Sequence, residues 1–318
     1  MAGTSPITVS RTLRYPDKVA PQTRSRVLAA IEALSYVPNL AASSLASHRS
    51  GIVAVLVPTI GNSIFTETIQ GISDAVAGAG LQILLGDYSY SPEREHNLVR
   101  ALIGRQPEAI VMVGAVRSAS LRTLLKSLSV PVIETWDLTR NPVDTVVGFS
   151  NREVGAAVAR YLLVRGRSRL GFVGGLDPRS KARGAGFTQA LVKAGAPPPA
   201  LEIVDGTSIT TGRQAGARIL DRAPETDAVF FASDVLAVGG LLLCQEQGIA
   251  VPREVALVGL GDLEIARELR PALTTVKVPA YEIGKRAGNV ILARQAGDTD
   301  SGKVIDLGFS IIERESSY

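Results

Sequence analysis

At 318 residues the chain is long enough for two or three folding units, and 46% hydrophobic to 20% charged residues is an ordinary globular balance. No apolar run approaches the roughly 20 residues that a bilayer requires, Met1–Ser10 lacks the basic and apolar stretches of an export signal, and Cys244 stands alone. A membrane span, secretion, an internal disulfide and a cysteine-rich metal site are therefore not expected, and the expected location is cytoplasmic. The net charge of +4 is concentrated in residues 1–50, where Arg11, Arg14, Lys18, Arg24, Arg26 and Arg49 outnumber Asp17 and Glu32, while the remainder is balanced. That asymmetry points to an anionic partner for the first 50 residues.

Those residues carry helix signals and no strand signals. Ser5 can cap a helix over 6–13 with Pro6 in its first turn, and Tyr15-Pro16-Asp17 ends it. A second helix opens at Pro21 and sets Val27, Leu28, Ile31 and Leu34 in one stripe before Tyr36-Val37-Pro38 stops it. Two such helices alone make a poor core.

From Gly51 a βα rhythm begins. Strands are predicted over 52–57, 81–85, 109–113 and 132–133, with helices over 65–79, 92–105 and 120–128 between them. The rhythm restarts after Phe149, with helices over 152–165, 180–194, 212–221 and 235–247 and strands over 170–173, 228–231 and 255–258. Pro197-Pro198-Pro199 is a stiff surface break inside this second half, since the order resumes at Leu201. A strand over 274–278, a helix over 281–295 and the segment 304–312 then return the chain to both halves. Strands this continuously apolar belong to parallel sheets covered on both faces. The fold class is α/β, with two Rossmann-like sheets whose strand ends face a shared ligand cleft, preceded by an all-α head.

Little speaks for catalysis. Gly171-Phe172-Val173-Gly174-Gly175 follows a strand but fits neither dinucleotide nor Walker spacing. His48 and His96 are the only histidines and lie far apart in sequence, so no catalytic triad, histidine metal site or cofactor is expected.

Thr8-Val9-Ser10-Arg11, Arg26-Val27, Leu34, Tyr36-Val37-Pro38-Asn39 and Leu45-Ala46 follow the order and separations found in LacI-type transcriptional repressors, and the resemblance runs to the C-terminus. It implies a helix-turn-helix head over 1–38, a hinge helix and linker over 39–50, and a two-lobed periplasmic-binding-protein-like core over 51–318. The N-lobe would take about 51–149 plus 279–303, and the C-lobe about 150–278 plus 304–314. The helix opened by Ser5 resembles the recognition helix, with Pro6, Ile7 and Arg11 at base edges and Thr8 and Ser10 at phosphates. Asn39, Ala42 and Leu45 match the hinge helix, Leu45 as the wedge that opens a base step in the minor groove. The family has a further helix ahead of Ala2–Ser5, where this chain has only Met1. Either the start is assigned too far downstream or the head is defective, and as written an unstable head with reduced DNA affinity is expected.

Within the family the chain most resembles gluconate-type repressors, through Leu85-Gly86-Asp87-Tyr88-Ser89-Tyr90-Ser91-Pro92-Glu93, Glu134-Thr135-Trp136-Asp137, Val147-Gly148-Phe149-Ser150-Asn151 and Ile305-Asp306-Leu307-Gly308-Phe309. The matching effector positions are Asn62, Phe65, Asp137, Phe149, Lys181, Arg183, Ser233, Asp234 and Asp262. Arg183 suits a carboxylate, with Lys181 adding charge. Gly261 takes the place of an aspartate common in sugar repressors, with Asp262 one position later, which weakens neutral-sugar recognition. Plainer roles stand beside these: Asp234 as a cap, Phe149 as core, Asn62 as part of a turn. The resemblance implies a homodimer on a palindromic operator, released when a sugar acid closes the cleft and disorders the hinge. The alternative is a periplasmic-type sugar-binding protein without DNA-binding activity.

Overall fold

A computed structural model describes residues 2–36, 50–61, 63–298 and 303–318. Met1–Ser50 form one compact unit and Gly51–Tyr318 another. In the first, α1 (Pro6–Arg14) begins where Ser5 accepts a hydrogen bond from the Thr8 amide at 3.2 Å. It ends at Tyr15, whose amide donates to the Arg11 carbonyl. A 3-10 turn over Pro16–Lys18 leads to α2 (Pro21–Ala33). Of the stripe expected on α2 only Val27 is buried, while Leu28 and Leu34 are 44% and 56% exposed. Two short helices have too little facing surface to cover a four-residue stripe.

The second unit contains two six-stranded sheets. The N-lobe elements run β1 (Ile52–Val57), α3 (Thr66–Ala77), β2 (Gln82–Asp87), α4 (Pro92–Ile103), β3 (Ala109–Val113), α5 (Ala119–Lys126), β4 (Val132–Thr135) and β5 (Thr145–Gly148). The C-lobe runs α6 (Asn151–Val164), β6 (Leu170–Gly175), α7 (Pro178–Lys193), β7 (Ala200–Val204), α8 (Ile209–Arg222), β8 (Ala228–Phe231), α9 (Asp234–Gln247), β9 (Ala256–Leu260), α10 (Glu264–Glu268) and β10 (Thr274–Lys277). Then α11 (Ala280–Gln295) returns to pack on α3, β11 (Val304–Asp306) joins the N-lobe sheet and β12 (Ser310–Ile312) joins the C-lobe sheet. The strand orders are β11-β5-β4-β3-β1-β2 and β12-β10-β9-β8-β6-β7, parallel throughout except for β10 against β12.

The expected assignment of 304–314 to the C-lobe is corrected at its start. Val304 pairs with Val146 and Asp306 with Gly148 in the N-lobe, and the chain crosses only after Leu307, whose amide donates to the Gly148 carbonyl, with Gly308 at φ 66°. Glycine takes that left-handed conformation without penalty. The chain thus crosses between lobes three times, after β5, after β10 and after β11. The alternation of covered strands and helices puts the carboxyl ends of both parallel sheets at one cleft.

Helix pairs meet at glycines. A Cβ on Gly155 of α6 would run into the Arg183 carbonyl of α7, and one on Gly186 of α7 would meet the Arg152 carbonyl of α6. This contact sets α7, and with it Arg183, against the lobe junction.

Candidate functional site

Two cavities open where the strands end. The inner one encloses about 40 Å³ and is lined from the N-lobe by Phe65, Tyr90 and Trp136, and from the C-lobe chiefly by Asp177, Arg179, Arg183 and Ser233. The outer one, of about 540 Å³, shares Tyr90, Asp177 and Arg179 and adds Tyr88, Glu95, Arg117 and Asp137.

The start of α7 builds the charged wall. Asp177 caps the helix by accepting from the Arg179 amide at 3.1 Å and the Ser180 amide at 3.2 Å, with Pro178 in the first turn. Arg179 and Arg183 are four residues apart and so share one helical face, each only 8% exposed. Arg179 lies with Nε 3.6 Å from Asp177 and its guanidinium 5.2 Å over the Phe65 ring of the opposite lobe. Arg183 donates through Nη1 to Asn151 Oδ1, and Asn151 in turn donates to the Trp136 carbonyl at 2.9 Å and to Asp137 at 3.1 Å. Arg179 Nη1 and Arg183 Nε are buried without a hydrogen-bond partner.

Burial works to raise the Asp177 carboxyl, yet Arg179, Arg183 and the two amides outweigh it and hold the group below the usual aspartate range. Burial likewise opposes charge on Arg179, but Asp177 and the neighbouring tyrosines hold it above its ordinary value. For Arg183 burial wins over Asp177, helped by the charge of Arg179, and draws it down to about 10. Both guanidiniums are cations at neutral pH. The start of α7 thus carries two buried guanidiniums against one carboxylate, with N–H donors to spare.

Of the expected effector positions, Phe65, Arg183 and Ser233 line the inner cavity, and Asp137 lines the outer one, 3.4 Å from Arg117. Four stand elsewhere. Phe149 is fully buried with its ring edge-on to Trp136 at 5.9 Å, behind the cavity wall. Lys181 is exposed beside Val192, Leu201 and Ile203, because two residues' displacement from Arg179 and Arg183 turns it about 200° around the helix. Asp234 is buried, accepting from Thr275 Oγ1 at 2.5 Å and the Leu263 amide at 2.8 Å, while Ser233 caps α9. Asp262 pairs with Arg314 and with Arg267 at 3.0 Å. Asn62, Asn39, Ala42 and Leu45 lie outside the described residues.

On α1, Ser5, Pro6, Ile7, Ser10 and Arg11 are exposed and Thr8 is half-buried, its hydroxyl 3.0 Å from Ser5 Oγ. The sequence reading missed Asp177, Arg179, Tyr90 and Trp136 as cavity walls. For the first two a signal existed, since Asp-Pro-Arg-Ser is a helix start and the arginines at spacing four share a face.

Residues 1–39 match the family described as bacterial regulatory proteins, lacI family, and residues 159–317 match a periplasmic binding protein-like domain. Over 99% of its length the chain is 38% identical to the HTH-type transcriptional regulator GntR of Pseudomonas aeruginosa, covering 93% of that protein. It is 30% identical to the HTH-type transcriptional regulator IdnR of Escherichia coli over 98% of this chain and 94% of that one. A solved LacI family regulator from Silicibacter pomeroyi superposes with a TM-score of 0.92 at 34% identity, covering 99% of this chain and 96% of that one. The lac repressor dimer bound to operator, at 21% identity, shares the fold with a TM-score of 0.86 over 99% of this chain and 96% of that one. The chain belongs to the lacI family of bacterial regulatory proteins, DNA-binding transcriptional regulators that join helix-turn-helix sequence to a two-lobed core.

Proposed function

We propose that this regulator is a repressor whose grip on operator DNA is controlled by a small sugar or sugar acid, gluconate-like, bound between the two lobes. The observation that carries the reading is Arg183: a buried cation at the strand-end cleft with an unpartnered Nε, the kind of group that a ligand carboxylate completes. Similarity to the GntR and IdnR regulators along nearly the whole chain supports the same reading. Pro6, Ile7 and Arg11 read base edges, Ser5, Thr8 and Ser10 hold the backbone, and Asn39, Ala42 and Leu45 form the hinge over the operator centre. The working form is a cytoplasmic homodimer on a palindromic site, and it acts by binding, without catalysis. Ligand closing the cleft shifts one lobe against the other and loosens the hinge.

The test is fluorescence anisotropy with a duplex selected from a random library by the full-length protein, with and without D-gluconate. Gluconate is expected to weaken operator binding at least tenfold. Tighter binding would make the ligand a corepressor and overturn the direction. Indifference to every sugar and sugar acid would end the reading.

A further inference from the structure

We propose that Tyr90 is a gate between the two cleft cavities, held shut by a strained turn that the Asp87 carboxylate braces, and that an effector reaches the inner cavity only when the gate swings aside. The inference rests on the reading of the cleft as the effector site and concerns how that site is entered.

The inner cavity, at about 40 Å³, has room for about three water molecules at the ~10–15 Å³ that each occupies. A sugar acid the length of gluconate cannot enter it as it stands. The outer cavity, of about 540 Å³, is large enough, and among the described residues Tyr90 is the N-lobe side chain that lines both. The two other shared walls are fixed, Asp177 as the cap of α7 and Arg179 between Asp177 and the Phe65 ring. Tyr90 sits on a turn, 41% exposed, with its phenol facing Arg179 of the other lobe. Tyr88, two residues earlier, is pinned instead through its hydroxyl to the Val113 carbonyl at 3.1 Å.

Ser89 and Tyr90 stand at φ 49° and 56°, consecutive non-glycine residues in the left-handed region, where Cβ crowds the following carbonyl. Hydrogen bonds hold them there. Asp87 Oδ1 accepts from the Ser89 amide at 2.6 Å and from its hydroxyl at 2.9 Å, and the Tyr90 amide donates to the Pro58 carbonyl at 3.1 Å. Asp87 Oδ2 accepts from the Ile60 amide at 2.9 Å, so one carboxylate ties this turn to the loop that leads to Ile64 and Phe65 of the inner wall. Burial works to raise the Asp87 carboxyl, but the bonds from Ile60 and Ser89 outweigh it and keep the group charged. Strain and bracing oppose each other. Breaking these few bonds lets the backbone relax and carries the ring out of the partition, which joins the two cavities.

Relaxation kinetics of the full-length protein with D-gluconate, by stopped-flow mixing and temperature jump, test this. The signal is the emission of Trp136, the chain's single tryptophan and a wall of the inner cavity. In the parent the observed rate is expected to rise with gluconate and level off at the rate of gate opening. Tyr90→Ala, which removes the partition, should abolish the plateau and speed association by about tenfold or more. Asp87→Asn, which turns one of the two acceptors into a donor, should raise the plateau, whereas Tyr90→Phe keeps the ring and should keep the plateau. A merely structural role for Tyr90 would speed dissociation and leave association unchanged. An observed rate linear in gluconate in the parent, or association unchanged in Tyr90→Ala, overturns the gate and leaves the effector site standing. A plateau that Asp87→Asn leaves unmoved overturns the brace. Gluconate failing to bind the parent in titration calorimetry overturns the effector reading and the gate with it. Should Tyr90→Ala fail to fold, the parent's concentration dependence and Asp87→Asn decide.

Discussion

The Arg183 guanidinium is tied on one side to Asn151, which reaches Trp136 and Asp137 across the lobe junction, and is open on the other. A charge-assisted hydrogen bond contributes about 1.5–3 kcal/mol and 1.4 kcal/mol is tenfold in affinity. Arg183→Gln is therefore expected to weaken gluconate binding by about ten- to a hundredfold by titration calorimetry. At the other end of the chain, Arg11 stands exposed on α1. Replacing it with Ala should cost about 1–3 kcal/mol on the selected operator and relax preference at one base pair, measured by anisotropy on single-substitution duplexes.

Asp234 bears on pH. Burial lifts its carboxyl from 3.8 to about 6, against the hydrogen bonds from Thr275 and the Leu263 amide, which favour the charged form. The folded state holds this proton more tightly than the unfolded chain does, so its contribution is fully present below pH 3.8 and is lost as pH rises through about 6. Thermal melts over that window should decline in the parent and flatten in Asp234→Asn. At this scale the sequence was half legible. Arg183 stood out by residue type and position, whereas Lys181 could be separated from it only by following the helical turn. Trp136 and Phe149 are aromatic residues that directly follow the adjacent strands β4 and β5, and only the fold assigns one to the wall and the other to the core.

Among the elements, the α6–α7 crossing bears most directly on the site. Gly155 lets α6 approach the backbone of Arg183 itself, so Gly155→Ala must push the arginine or the helix aside. Overpacking of this kind costs about 1–3 kcal/mol. A lower melting temperature together with weaker gluconate binding is expected. Gly186→Ala presses instead on Arg152, away from the cavity, and should lower the melting temperature with less effect on the ligand. The main strands were legible because buried parallel strands are apolar throughout, as in Ile52–Val57. Thr145–Gly148 was not, since four residues between a turn and a helix leave no pattern long enough to read. The strand Val304–Asp306 misled for a related reason: both lobes draw an edge strand from one stretch, and pairing alone decides which.

For the molecule as a whole, three crossings join the lobes, and the Arg179–Phe65 contact spans the cleft between them. A ligand that binds the closed form better shifts the population toward it, by no more than its difference in affinity for the two forms. At one hundred times its dissociation constant it stabilises the folded chain by about 2.7 kcal/mol. The two-lobed architecture was legible because the βα rhythm stops and restarts at Phe149. The cavity walls were not, because they are assembled from loops far apart in sequence.

Operator affinity titrated with gluconate, in parallel on the parent and on Arg183→Gln, decides whether the cleft controls DNA binding. Both proteins are expected to hold the operator equally without ligand, and only the parent to lose affinity, by tenfold or more, as gluconate rises. Equal loss in both proteins, or none in the parent, would contradict such control.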